Sequence, residues 1–231
     1  MKTSALLATA FGLTLATLTA QQASAQTAPA TTASTCAPTD PCFDVVDTWA
    51  VNAGQSFSGV ATSTVNLTVE AALNGLDASS TAVGNSLSVE GRSLGELNVK
   101  QSVQGEIKSQ LNVYAGFVDG DANLTSTAMG NNVSAKVGEI GVINVNQSIA
   151  PYDPYASVNA NLGSVDGNLT VAATAVNNNV SVTGDFAVAN LTQASNRTPA
   201  VALANVNVNT VTGQLDVSGQ AIGNSISLKG F

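Results

Sequence analysis

The chain contains no histidine and has few aromatic or charged residues. Of its 231 residues, 4% are aromatic, 10% are charged and two are cysteines. Without imidazole the sequence lacks the bases of Ser-His and Cys-His hydrolases, and two cysteines cannot build a zinc cluster. We therefore expect a protein that is not an enzyme and that needs no cofactor or metal.

The low charge also limits the partners. Acidic residues outnumber basic ones by 15 to 7, and the formal net charge is −8. Binding to nucleic acid needs clustered Lys and Arg, whereas the few basic residues here are scattered. Globular domains have about 25% charged residues, so Ser, Thr, Asn and Gln must supply the polar surface of this chain. This composition favours β-structure and argues against a nucleic-acid partner.

The N-terminus has the pattern of a secretory signal. Lys2 is followed by an apolar run over residues 5–18, and Ala23, Ser24 and Ala25 fit the A-x-A cleavage motif. The run is shorter than the roughly 20 residues that a bilayer-spanning helix requires. The sequence predicts a signal peptide over residues 1–25, export, and no membrane span after cleavage.

Residues 26–47 are rich in Thr, Ala and Pro and predict a flexible leader. Cys36 and Cys42 flank a turn-forming spacer within it, and an exported protein meets an oxidising compartment. We predict a disulfide loop between them, with two free thiols or an intermolecular link as alternatives. The remaining residues, 48–231, form the body of the protein.

An eight-residue stretch of this body occurs four times with small changes. AVGNSLSV at residues 82–89 has copies that begin at residues 128, 175 and 221. Alternate side chains of a strand share a face, and in every copy the shared face carries apolar, Asn, apolar and apolar residues. Stacked copies would place these amides above one another, where each can bond to the next. The amides are Asn85, Asn131, Asn178 and Asn224.

A second motif, Asn-x-x-Gln, repeats with the same period. It begins at residues 52, 98, 144 and 190, which are 46 residues apart each time. An unpaired buried amide costs about 1–3 kcal/mol, so a Gln that recurs on an apolar face predicts a second ladder beside the first. The members of this ladder are Gln55, Gln101, Gln147 and Gln193.

The spacing of the first motif is 47 residues once, so one repeat carries an extra residue. A one-residue slip would turn a strand's core face outward, and we therefore place the insertion in a loop near residues 150–155, where two prolines occur. The dipeptides Asp119-Gly120 and Asp166-Gly167 predict turns. Calcium binding is the alternative interpretation of these two dipeptides.

These observations predict an all-β fold, a β-solenoid of four repeats of about 46 residues that follows the leader. A period of this length is typical of solenoids and propellers. Each repeat is long enough for two solenoid coils of equal length, which is the winding that we expect. A four-stranded propeller blade has a similar length, but propellers bury aromatic residues, and this chain has few.

The segments LNVKQ at residues 97–101 and QLNV at residues 110–113 add a family resemblance. With their spaced Gln, Gly and Asn they resemble curlins, the secreted subunits of bacterial amyloid fibres, and the related holdfast-anchoring surface proteins. The resemblance implies stacked strands with internal Gln and Asn ladders. It also implies assembly outside the outer membrane, with a role in adhesion or in a biofilm scaffold.

The sequence as a whole predicts a secreted structural or adhesive protein at the bacterial surface, on the extracellular face of the outer membrane. We expect it to associate with itself or with other surface-assembly proteins by strand stacking, with polysaccharide as a further candidate partner. The main alternative is a monomeric solenoid that binds glycan or another surface. An outer-membrane barrel and a polysaccharide lyase of the β-helix type are less favoured alternatives. The terminal Phe231 suits a barrel, but the polar residues at 225, 227 and 229 do not.

Overall fold

A computed structural model describes residues 24–29 and 49–230 of the chain. The predicted disulfide between Cys36 and Cys42, and all but the last two residues of the predicted signal peptide, lie outside this part. Every regular element in the described residues is a strand. These residues contain no helix that is long and apolar enough to cross a membrane. The strands are β1 Ser24–Pro29, β2 Trp49–Ala72, β3 Leu76–Asp119, β4 Ala122–Ile149, β5 Pro154–Asp166, β6 Leu169–Ser195, β7 Val201–Val211 and β8 Leu215–Lys229.

All eight strands belong to one sheet. β1 pairs with β2 in the antiparallel direction, and the other pairs are parallel. Each of those parallel pairs joins a residue to the one 46 or 47 positions later, as Asn52 pairs with Asn98 and Asn98 with Asn144. Equivalent positions of successive repeats are therefore direct neighbours, which confirms the all-β prediction and explains the preserved period.

The prediction of two coils per repeat is wrong, because the parallel neighbours lie a whole repeat apart. The two halves of one repeat face each other across the interior. Asn85 Nδ2, for example, donates to the carbonyl oxygen of Ser102, 17 residues later, at 2.9 Å. The halves have different sequences, and identical residues meet only after the full period.

The extra residue lies in the loop between β4 and β5. Val103 pairs with Ile149 at a separation of 46, whereas Ile107 pairs with Pro154 at a separation of 47. The register returns to 46 at a second irregularity, where Lys136 pairs with Thr183 but Glu139 with Asp185. The first adjustment falls in a loop and the second is an irregularity within the pairing of β4 with β6. Val137 and Ile140, on either side of the second adjustment, are both buried, so the core face stays inward.

The turns between strands stack in the same way as the strands. Gly75 and Gly120 have positive φ angles of 87° and 104°, a conformation that glycine adopts without steric cost. Gly75 N donates to Asp119 O at 2.7 Å, and Gly120 N donates to Asp166 O at 2.9 Å. The predicted Asp-Gly turns are thus hydrogen-bonded turns, each supporting the turn of the next repeat.

The inward-facing side chains form two apolar clusters. The larger contains Leu111, Leu124 and Val158, together with the alanine that begins each of the first three copies of the eight-residue stretch. The smaller contains Leu97, Val133 and Ile143. All six named residues are fully buried, and burying one such side chain stabilises a fold by roughly 1.5–3 kcal/mol. The alternation of buried and exposed residues along β3 and β4 creates this core.

Candidate functional site

The four repeated asparagines form a hydrogen-bonded column through the molecule, called here the Asn column. Asn85 Nδ2 donates to Asn131 Oδ1 at 2.8 Å, Asn131 to Asn178 at 2.7 Å, and Asn178 to Asn224 at 2.7 Å. Asn131 and Asn178 are fully buried, whereas Asn224 is exposed at the end of the stack. A column of this kind lets each amide satisfy the next in an apolar interior.

The four repeated glutamines form a second column, the Gln column. Gln101 Nε2 donates to Gln55 Oε1. Gln147 donates to Gln101 and Gln193 to Gln147, both at 2.8 Å. Gln101 and Gln147 are fully buried. All eight residues predicted for the two ladders therefore lie in stacks whose neighbours are hydrogen-bonded.

The two columns lie where the larger apolar cluster meets the smaller one. Along β3 the larger cluster includes Ala82, Asn85 follows, and Leu87 packs on the smaller cluster. On the facing segment of β3, Gln101 separates Val99 from Val103 in the same manner. The amide side chains therefore form a polar boundary between the two apolar clusters.

Each column also ties facing segments together. Besides its ladder bond, Asn131 Nδ2 donates to Ser148 O at 2.9 Å, and Gln101 Nε2 donates to Asn132 O at 2.9 Å. One amide group therefore satisfies a neighbouring side chain and a backbone carbonyl together. This second bond explains why the position requires a carboxamide, with two donor hydrogens, rather than a hydroxyl.

The donors of the two columns point in opposite directions along the stack. In the Asn column each amide donates to the following repeat. In the Gln column each amide donates to the preceding repeat. Each end of the stack therefore presents one donor and one acceptor.

A chain of serine hydroxyls, which the sequence motifs did not predict, crosses the larger cluster. Ser80 Oγ donates to Ser63 Oγ at 2.9 Å, Ser109 Oγ to Ser80 Oγ at 2.9 Å, and Ser126 Oγ to Ser109 Oγ at 2.8 Å. The spacing of 46 between Ser63 and Ser109, and between Ser80 and Ser126, is the signal that could have revealed it. The hydrogen bonds themselves join residues 17 or 29 positions apart. These separations differ from the repeat period, so the pairing of the serines cannot be recognised from the period.

The outer surface carries further rows of stacked asparagines. One row, called the groove row, joins Asn98 Nδ2 to Asn52 Oδ1 at 2.8 Å, Asn144 to Asn98 at 2.7 Å and Asn190 to Asn144 at 2.9 Å. It lines an open groove of about 890 Å³, together with Lys100 and Thr192. The groove offers amides at regular intervals of one strand spacing, about 4.8 Å.

Charge is sparse and unclustered at both columns. Within residues 24–29 and 49–230, no group of three or more His, Cys, Asp or Glu side chains could hold a metal ion. Burial raises the pKa of Asp153, a residue of the loop between β4 and β5. The arrangement of the two columns is suited to holding strands together.

Comparison with known families gives a match over most of the chain. The model of a family described as holdfast attachment protein D, HfaD, matches residues 18–229. Neither the curated proteins nor the solved structures include a match to the chain. The family match supports the holdfast part of the sequence resemblance, while the curlin part stays a prediction.

Proposed function

Since the chain belongs to the holdfast attachment protein D family, we propose that it is an exported, non-enzymatic structural component that fixes a holdfast to the cell surface. In this proposal the protein stands on the extracellular face of the outer membrane. It contributes mechanical continuity and no chemistry, in keeping with its lack of histidine.

We propose further that the body is a β-solenoid with one turn per repeat, and that copies assemble by strand stacking. The observation that carries this proposal is the parallel pairing of four repeats edge to edge, with only two one-residue adjustments of register. The first and last repeats present strand edges, and such edges template pairing with another chain.

A cellular experiment tests the surface role. Deletion of the gene should release holdfasts from cells, and expression of the wild-type chain should restore attachment. Protease added to intact cells should digest the protein, whereas a cytoplasmic control protein stays intact. Normal attachment in the deletion strain, or protection from protease, would contradict the proposal.

The assembly step has its own test. Purified mature protein should form fibres visible by electron microscopy, and aligned fibres should diffract at about 4.7–4.8 Å along the fibre axis. A monomer that persists at every concentration would contradict strand stacking. It would leave the surface role to a single-copy binding module.

That module is the second candidate function, and the groove row favours it. Asn98 and Asn144 each use one donor and one acceptor within the ladder, and Asn144 Nδ2 also contacts Glu96 Oε1 at 3.4 Å. In this alternative the amide groups that the ladder leaves unused bind a polysaccharide. In this alternative, Asn144→Ala should weaken binding to purified holdfast polysaccharide. Asn159→Ala, in another exposed row, is the matched control and should not.

A further inference from the structure

The stack has two different ends. The tail edge consists of β7, β8 and residues 186–195 of β6, and each of these segments pairs with the preceding repeat alone. The head edge consists of β2 and residues 76–91 of β3, which pair with the following repeat. Within the described residues, the head edge has one additional neighbour, the short strand β1 beside Trp49–Gly54.

An orphaned acceptor lies at the tail edge. Gln193 Oε1 is buried and has no hydrogen-bond partner among the described residues. In the preceding repeats the same atom accepts from the next Gln, as Gln147 Oε1 does from Gln193. The donor that this pattern requires is therefore the Gln of a following repeat, and the described residues include no such repeat.

The head edge has the matching donor. Gln55 Nε2 donates to Ser86 O at 2.8 Å. Gln101 Nε2 makes the equivalent backbone bond and also a ladder bond to the preceding Gln. Within the part of the chain that the structure describes, Gln55 has no such preceding Gln. A donor at the head and an acceptor at the tail complement each other.

The Asn column repeats this match with the roles reversed. Among the described residues, Asn224 Nδ2 at the tail reaches only Gln193 O, at 3.5 Å, beyond the usual range of about 2.7–3.2 Å. Asn85 Oδ1, at the head, accepts no ladder bond from another described residue, unlike Asn131 Oδ1. Because the two columns have opposite polarity, one contact would satisfy both.

The tail edge also exposes side chains that are core residues elsewhere. Val217 is 46% exposed and Ile226 is 49% exposed, whereas their neighbours one repeat inward, Val171 and Val180, are fully buried. The residue at the head that corresponds to Ile226 is Leu87, through the register Leu87, Val133, Val180 and Ile226. A following repeat would cover this apolar cross-section.

We propose that the tail edge of one copy binds the head edge of a second copy, so that Gln55 donates to Gln193 and Asn224 donates to Asn85 across the junction. The inference rests on the proposed strand stacking and gives it a direction. The second copy's β2 would exchange its own β1 for the tail edge as the neighbour of Trp49–Gly54. Such a head-to-tail contact does not close on itself, so it generates a polar filament.

Two edge variants test the direction. Ile226→Lys places a charge on the tail edge, and Leu87→Lys places one on the head edge. In the free chain each Lys lies at the end of the stack and can reach water, whereas in the junction it would be buried without a partner. Each variant alone should associate roughly 100-fold or more weakly than wild type. Val217→Lys replaces Ile226→Lys if circular dichroism shows the latter to be unfolded.

A mixture of the two full-length variants tests whether the contact is head-to-tail. The Leu87→Lys copy keeps a normal tail and the Ile226→Lys copy keeps a normal head, so native mass spectrometry of the mixture should show a heterodimer and nothing longer. Dimers of Leu87→Lys alone would indicate a tail-to-tail contact, and dimers of Ile226→Lys alone a head-to-head contact. Either result overturns the proposal.

The outcomes also separate this inference from the proposed assembly. If wild-type protein forms fibres and both single variants still form them, Ile226 and Leu87 do not face each other in a head-to-tail contact, and the inference fails while fibre formation stands. If wild-type protein stays monomeric at every concentration, the assembly proposal fails and the inference falls with it.

Discussion

Asn131 shows how much one side chain does in this fold. Its amide nitrogen donates to Asn178 and to Ser148 O, and its oxygen accepts from Asn85. The side chain is fully buried, while the adjacent Asn132 is only partly buried. Neighbouring residues of one type thus have opposite roles, as the alternation along a strand requires.

The first prediction is that Asn131→Asp destabilises the protein by several kcal/mol, because it removes both donors and buries a charge. Burial would raise the pKa of the new carboxyl, so its protonated form favours folding, and the loss should be smaller at acid pH than at neutral pH. Urea unfolding at both pH values measures this.

Asn132→Asp is the matched control for that prediction. Asn132 Oδ1 accepts from Asn179 at 2.8 Å, and a carboxylate keeps this bond. The variant should unfold within about 0.5 kcal/mol of wild type. Equal losses from both substitutions would show that the assigned strand faces are wrong.

The glycines of the repeated motif differ in how much space surrounds them. A Cβ added to Gly130 would contact the carbonyl oxygen of Asn177 and lie 2.7 Å from Ile149 Cδ1. In the next repeat, Ser195 takes the place of Ile149, and Asn177 fits at the Gly position with its Nδ2 2.6 Å from Thr198 O. A Cβ at Gly223 would meet nothing within 4 Å.

The second prediction follows from these distances. Gly130→Ala should destabilise the protein by about 1–3 kcal/mol through overpacking, whereas Gly223→Ala should be near neutral. Thermal unfolding of the two variants at low concentration measures the difference. A neutral Gly130→Ala would mean that the motif's glycine is retained for reasons other than space.

At the scale of the elements, register is the property that the fold protects. The loop at residues 150–153 contains the extra residue, and the strands on either side keep their partners. Tyr152 in this loop is 52% exposed. Ser148, by contrast, lies within β4 and is paired on both sides, with Ser102 and Ala194.

The third prediction compares two deletions of a single residue. Removing Tyr152 makes the segment between Ile149 and Pro154 as long as its counterpart between Val103 and Ile107 in the preceding repeat, so stability should change by no more than about 1 kcal/mol. Removing Ser148 shifts the register within a strand and turns core residues outward, so the protein should not fold. Circular dichroism and proteolysis of both variants provide the measurement.

At the scale of the whole molecule, stability is a sum over stacked repeats and their interfaces. The second repeat, which contains Gln101 and Asn131, contacts the repeats on both sides. If the second repeat were removed, the first and third repeats would contact each other through surfaces equivalent to those that now contact the second. This modular construction is consistent with the structural role in holdfast attachment proposed above.

The fourth prediction uses this modularity. Deletion of residues 95–140 removes one whole repeat and joins Leu94 to Gly141, so the shorter protein should still fold, with a lower free energy of unfolding. Deletion of residues 95–117 removes half a repeat and should prevent folding. Circular dichroism and urea unfolding of both variants measure the difference. If the half-repeat deletion folded as well as the other, a winding of two coils per repeat would have to be reconsidered.

By itself the sequence determined which residues are neighbours along the stack, including the Asn and Gln columns, the loop near residue 150 and the all-β class. It could do so because a parallel, in-register stack places identical residues side by side, and repetition therefore records each contact. Only the tertiary structure decided that parallel neighbours lie a whole repeat apart, that Ser80 bonds to Ser63 and Ser109, and that the two columns donate in opposite directions. Those features depend on how unlike segments meet across the interior or on side-chain orientation, and neither leaves a periodic signal.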